Sequence, residues 1–238
     1  MAKLVIDMMG SDLGSAMSVE AVKAFREDHP ETELVLVGKK EEFSGLEGFQ
    51  IVDAPNIVKM TTGALEILHQ KDASMVKAIE SVKQLHADGV VSAGSTGAFL
   101  SASTLLLKKI DGVERPALVT SFPNFKKGGF VTILDVGASN SNTAEELREF
   151  ALMGSLYATI INHIDHPEVK LLSNGSEEGK GSPLGKEAYP VLANEKKIHF
   201  GGNIEGNSVL AGEADVVVTD GYSGNVLLKT TEGTAKAM

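Results

Sequence analysis

Short apolar runs alternate with amphipathic stretches along most of this chain, and the alternation predicts strands and helices in turn. Apolar runs at 4–7, 33–37, 50–52, 90–92, 117–120, 130–134, 169–172, 198–200 and 214–218 read as strands. Most are apolar throughout rather than at every second position. That pattern suits strands buried on both faces, as in a parallel sheet covered by helices. Helical spacing is read at 18–27, with Ser18 as the expected N-cap. Residues 73–86 place Met75, Ile79 and Val82 on one face, and 96–108 run directly out of a strand-end turn. A long helix from Asn142 or Thr143 to about 162 turns Leu147, Phe150, Ala151, Gly154 and Ala158 inward. The expected fold is α/β: three layers, a mostly parallel sheet with helices on both faces. Residues 1–238 are expected to form a single catalytic domain.

Four of the strands end in glycine-rich turns. These are Gly10-Ser11-Asp12-Leu13-Gly14, Ser92-Ala93-Gly94-Ser95-Thr96-Gly97, Asp135-Val136-Gly137-Ala138-Ser139 and Thr219-Asp220-Gly221-Tyr222-Ser223-Gly224-Asn225. In open α/β sheets ligands collect at the carboxyl ends of strands. Glycine turns leave backbone N–H groups free to face an oxyanion or a phosphate. Together the four predict a crevice for such a ligand.

Composition removes several alternatives. The formal charge of −10 disfavours nucleic acid or an anionic membrane surface as a general partner. The chain has no cysteine, which excludes disulfides, thiolate metal sites and an acyl-cysteine intermediate. Met1 leads almost directly into a strand, which gives no signal-peptide pattern. No apolar run approaches the ~18–20 residues of a membrane span.

Four motifs suggest chemistry. Ala93-Gly94-Ser95-Thr96-Gly97 is a loosened nucleophile elbow, but His163, His166 and His199 are not placed in a clear loop after a strand end. A tight anion-binding turn is the plainer reading. Gly175-Ser176-Glu177-Glu178-Gly179-Lys180-Gly181-Ser182 falls one residue short of a P-loop, and Gly181 stands where a magnesium-binding hydroxyl belongs. Lys180 remains a candidate point charge for a phosphate, in a loop expected to be mobile. The turn at Gly10 lacks the dinucleotide spacing. Asp7, Asp12, Asp135 and Asp220 have no histidine at ligand spacing, so turn bracing or helix capping outweighs metal binding.

Seven co-linear blocks carry a resemblance. They include Ile6-Asp7-Met8-Met9-Gly10, Val91-Ser92-Ala93-Gly94-Ser95-Thr96-Gly97-Ala98, Arg115-Pro116-Ala117, Gly202-Asn203-Ile204-Glu205 and Val218-Thr219-Asp220-Gly221-Tyr222-Ser223-Gly224-Asn225-Val226. From residue 4 to about 235 the chain resembles the phosphate acyltransferases of bacterial phospholipid synthesis. That resemblance implies transfer of a fatty acyl group from acyl-acyl-carrier-protein to inorganic phosphate. The acyl phosphate then feeds a membrane glycerol-3-phosphate acyltransferase. It further implies an isocitrate/isopropylmalate dehydrogenase-like fold, no metal or organic cofactor, and a cytoplasmic homodimer attached peripherally to the membrane.

Members of the family usually carry Asn at the Ser95 position and Gly at Ser11, and continue past Met238 into a helical region. An Asn there cannot be a nucleophile. The catalytic candidates are Lys180, Asn203, Asn225 and Asp220. Asp7, Gly10, Asp12, Ser92, Gly94, Ser95, Thr96, Gly97, Asp135, Gly137, Glu205, Gly221 and Gly224 are candidates for binding phosphate or substrate. Lys126 and Lys127 are the candidate dock for the acidic carrier. A phosphotransacetylase or dehydrogenase using a soluble coenzyme, and a non-catalytic carrier-binding domain, remain the competing readings.

Overall fold

The structure is a computed structural model that describes residues 1–11, 14–43, 45–58, 66–126 and 128–238. The chain divides into two compact units, Met1–Lys109 and Ile110–Met238.

The first unit is built on four parallel strands in the order β3-β2-β1-β4. These are β1 (Lys3–Asp7), β2 (Glu33–Gly38), β3 (Gln50–Asp53) and β4 (Gly89–Ser92). Both faces are covered. Leu34 and Leu36 meet Val22 of α1 (Ser15–Asp28), while Val5, Val35 and Val37 meet Ala78 of α2 (Ser74–Gln84). This two-sided burial is why the strand runs are apolar without alternation. The third helix, α3 (Thr96–Leu106), packs on α2 through Ala98 and Ala102. The first helix begins earlier than expected. Gly14 precedes it with φ 78°, and Ser18 is a buried residue inside α1 rather than its cap.

The second unit holds five strands in the order β5-β6-β9-β7-β8. They are β5 (Val119–Pro123), β6 (Phe130–Leu134), β7 (Glu168–Ser173), β8 (His199–Glu205) and β9 (Val216–Val218). Only β5 pairs antiparallel, through a hairpin with β6. One face packs on α4 (Ala144–Ile161) and α5 (Pro183–Asn194), with Phe150, Ala188 and Leu192 fully buried against Leu134, Val169 and Val216. The other packs on Leu227 and Leu228 of α6 (Gly221–Ala237).

Thus each unit has three layers and a mostly parallel sheet, and the strands read from the sequence are shared between two sheets. The α5 helix lies in a stretch that the apolar pattern left unassigned.

Candidate functional site

In the first unit the register decides which turns meet. Asp7 of β1 stands opposite Ser92 of β4. The Ser92 hydroxyl donates to Asp7 Oδ2 at 2.7 Å, and the Met9 amide donates to Oδ1 at 3.2 Å. The same hydroxyl oxygen accepts the Gly94 amide at 3.1 Å. Asp7 is 3% exposed. Burial pushes its carboxyl above the ordinary carboxylate value, against the opposite pull of Ser74, Ser92 and the Met9 amide. The Ser74 hydroxyl is buried near this group, outside hydrogen-bonding geometry to any described residue.

Gly10 has φ 89°, and a Cβ there would lie 3.3 Å from the Gly94 Cα, so the two turns touch through their glycines. Ser95 caps α3, its Oγ accepting the Ala98 amide at 3.4 Å. Among the described residues no histidine bonds to it. Thr96 and Gly97 are exposed in the first turn of α3. The candidate Asp12 lies outside the described residues.

In the second unit Leu134 of β6 pairs with Val218 of β9, which sets the two following turns side by side. The Asp135 amide donates to the Thr219 carbonyl at 3.1 Å. The Asp135 carboxylate is fully buried and fully engaged. Its Oδ1 accepts the amides of Leu118, Gly137 and Ala138 at 3.1, 3.0 and 2.8 Å. Its Oδ2 accepts the Ser139 amide at 3.0 Å and the Ser139 hydroxyl at 2.7 Å. This carboxylate braces a turn and has no lone pair left over for a ligand.

Gly221 and Gly224 press on the same turn. A Cβ on Gly221 would strike the Ser139 carbonyl oxygen and a Cβ on Gly224 the Asp135 carbonyl oxygen. Asp220 caps α6, with Oδ1 accepting the Ser223 amide at 2.9 Å. Asn225 is exposed beside Gly137, and among the described residues its amide has no hydrogen-bond partner.

The bracing roles of several residues here lay outside the sequence reading. Asn142 Oδ1 accepts the Gly221 amide at 3.2 Å and lies 2.9 Å from the Ser139 hydroxyl oxygen. Its Nδ2 donates to Glu146 at 3.1 Å, and Arg115 pairs with the other Glu146 oxygen at 3.2 Å. Burial pushes the Glu146 carboxyl upward, but the Thr143 amide, Arg115 and Asn142 together hold it below its ordinary value. Of the two expected caps, Thr143 is the one used, and Glu146 completes a capping box with it.

Lys180 sits in the loop after β7. The loop is braced. The Gly181 amide donates to Asn174 Oδ1 at 2.9 Å, the Lys180 amide to the Glu177 carbonyl at 3.0 Å, and Asn203 Nδ2 to that carbonyl at 2.8 Å. The Lys180 side chain is exposed, and its ammonium has no partner among the described residues. Asn203 and Glu205 lie on β8, buried and half-buried respectively, and Glu205 stands opposite Ser173 of β7.

Lys126 lies at the β5–β6 hairpin tip with its stem over Gly212, and Lys127 lies outside the described residues. Among the described residues no three His, Asp or Glu side chains come together as metal ligands, and no helix is long and apolar enough to cross a membrane.

Known proteins align with the whole chain. The family model described as fatty acid synthesis protein matches residues 2–238. A curated phosphate acyltransferase of Staphylococcus aureus (strain Newman) is 42% identical, with 100% of this chain and 73% of that protein aligned. A solved phosphotransacetylase from Streptococcus pyogenes superposes with a TM-score of 0.72 at 19% identity, over 99% of this chain and 82% of that one. A 4-hydroxythreonine-4-phosphate dehydrogenase from Klebsiella pneumoniae gives 0.54 at 11% identity, over 97% and 84%. At these identities the two solved structures speak for the fold, which is of the isocitrate/isopropylmalate dehydrogenase kind.

Proposed function

The chain belongs to the fatty acid synthesis protein family, and from that membership we propose how its residues carry out phosphate acyl transfer. It is an enzyme, an acyltransferase acting on phosphate. The observation that carries this conclusion is the 42% identity to a phosphate acyltransferase across the whole chain. On the reading proposed here, residues 1–238 work as one catalytic domain and the donor is a fatty acyl thioester of acyl carrier protein.

A phosphate oxygen attacks the thioester carbonyl carbon. The resulting oxyanion collapses, the carbon–sulfur bond breaks, and the carrier's thiolate leaves and takes up a proton. The product is the mixed anhydride, an acyl phosphate. Phosphate is already anionic at neutral pH, so the chemistry asks mainly for placement and oxyanion donors. Placement is worth ~7–11 kcal/mol and a single oxyanion donor ~3–4 kcal/mol.

The division of polar groups supports assigning roles. Asp7 and Asp135 are buried braces, Ser92 links one of them to its turn, and Ser95 and Asp220 are helix caps. Lys180 and Asn225 are exposed, and their side chains have no hydrogen-bond or ion-pair partner among the described residues. We assign Lys180 to phosphate or to the developing oxyanion, with Asn225 as a second donor. The N–H groups of Gly94, Gly137, Gly221 and Gly224 are spent on Ser92, Asp135, Asn142 and Asp220, so these glycines shape their turns rather than donate to a ligand. The acyl phosphate then passes to a membrane glycerol-3-phosphate acyltransferase, and the protein works as a cytoplasmic homodimer with peripheral membrane attachment. The resemblance to the phospholipid-synthesis enzymes supports these last points.

Trapping the product with hydroxylamine tests the reading. Incubation with long-chain acyl carrier protein and phosphate yields acyl hydroxamate, and omission of phosphate abolishes it. Lys180→Ala lowers the rate by about 10²-fold, the scale of one lost oxyanion donor. Equal turnover of acetyl-coenzyme A would move the donor to a soluble coenzyme. Carrier binding without phosphate-dependent thioester loss would point to a binding module.

A further inference from the structure

The Glu177 carbonyl is the point on which the Lys180 loop turns. It accepts the Lys180 backbone amide at 3.0 Å and the Asn203 side-chain amide at 2.8 Å. Asn203 reaches it from inside the sheet. It lies on β8 opposite Leu171 of β7 and is 6% exposed. The loop is closed by the Gly181 amide on Asn174 Oδ1 at 2.9 Å, and Gly181, at φ 109°, leads the chain into the Ser182 cap of α5. The root of the lysine is packed too. A Cβ on Gly175 would fall 2.8 Å from Lys180 Cγ. The ammonium is therefore carried on a stem whose backbone and first carbons are held.

The other atom of the Asn203 amide explains what orients it. Asn203 Oδ1 is buried and meets no donor among the described residues, as does the nearby Ser173 hydroxyl. An unpaired buried acceptor is costly. Reversing the amide would set its oxygen against the Glu177 carbonyl oxygen and lose the one bond it makes. The grip on Glu177 thus outweighs an orphaned oxygen.

We propose that Asn203 is a positioning residue, which places Lys180 through the Glu177 carbonyl and does not itself touch substrate. The inference rests on the reading of Lys180 as the phosphate or oxyanion clamp. It revises the expectation that Asn203 is catalytic, because a side chain this buried under its own loop is turned to the loop.

A double-mutant cycle tests it with acyl carrier protein and phosphate as substrates. Asn203→Asp keeps the shape and removes the donor. It lowers kcat by about 10–100-fold, the cost of misplacing a catalytic group by about an ångström, while KM for the acyl carrier stays within about threefold. In a Lys180→Ala background the same change has no further effect within about twofold. Tryptic cleavage after Lys180, followed by mass spectrometry, accelerates about tenfold in Asn203→Asp as the loop loosens. Asn203→Ser, whose hydroxyl is too short to reach Glu177, serves in its place should the aspartate variant fold poorly. Additive losses would mean that Asn203 meets substrate directly, and overturn the inference. Full activity of Asn203→Asp beside an impaired Lys180→Ala overturns this inference alone. Full activity of Lys180→Ala overturns the clamp reading and this inference with it.

Discussion

At the scale of the residue, two aspartates at strand ends show how environment separates like side chains. Asp135 receives four amides and a hydroxyl. Asp7 receives one amide and one hydroxyl, and burial lifts its carboxyl above the ordinary value. Between that value and the raised one, native Asp7 holds more proton than unfolded Asp7. Stability therefore falls as pH rises through this window, and the cost is complete above it. Asp7→Asn removes the slope. Melting curves of both proteins from about pH 4 to 8 should show the variant gaining on the wild type as pH rises; a constant difference contradicts it. Gly224→Ala tests contact rather than charge. Its new Cβ meets the Asp135 backbone oxygen, an atom that cannot swing away. Overpacking of this kind costs about 3 kcal/mol, and denaturant unfolding of the variant reads it. A loss below about 1 kcal/mol would show that α6 can shift.

At the scale of the element, ends were harder to read than interiors. The long helix was expected to be capped by Asn142 or Thr143. Thr143 is the cap, reciprocated by Glu146, and Asn142 is spent on the Gly221 amide instead. Thr143→Ala should cost about 1 kcal/mol. Glu146 stands below its ordinary value, so its contribution is present above that value and lost as pH falls through the native one. The Glu146→Gln deficit, measured by thermal melts, should therefore shrink in acid. A deficit that persists unchanged would mean the charge is not what matters. The α5 helix was missed because Gly185 and Pro190 interrupt its helical pattern, while Pro190 also forfeits one internal hydrogen bond. Ser182 followed by Pro183 was the available start signal, and Ala188 and Leu192 anchor the helix in the core. Likewise β8 was read short, since Gly201 and Gly202 resemble a strand end yet lie within the strand.

At the scale of the whole molecule, each unit has its own three-layer core. Residues 110–238 expressed alone should unfold cooperatively with native-like near-ultraviolet circular dichroism; a featureless spectrum counts against independent folding. The net charge of −10 sets the conditions for an acidic carrier, which must find a local cationic surface. Lys126 is exposed at its hairpin tip and remains the proposed dock. Lys126→Glu should weaken carrier binding several-fold at low salt, and the difference should fade near 0.5 M salt as screening tightens below the ~8 Å of physiological buffer. Binding indifferent to both would place the dock elsewhere.

What the sequence determined by itself is the α/β class, most of the strands, the glycine turns at their ends and the family. Burial on both faces leaves an unbroken apolar run, and a turn that needs positive φ or close backbone approach selects glycine, so both leave local marks. The tertiary structure decided what the polar groups do. Asp135 and Asp7 look alike in the sequence, and only the neighbouring segment supplies Leu118 to one and Ser92 to the other as a partner. The division of strands between two sheets and the grip of Asn203 on Glu177, 26 positions away, depend on which segments lie side by side. Pairings of that kind arise from register and packing, which no single residue or local spacing records.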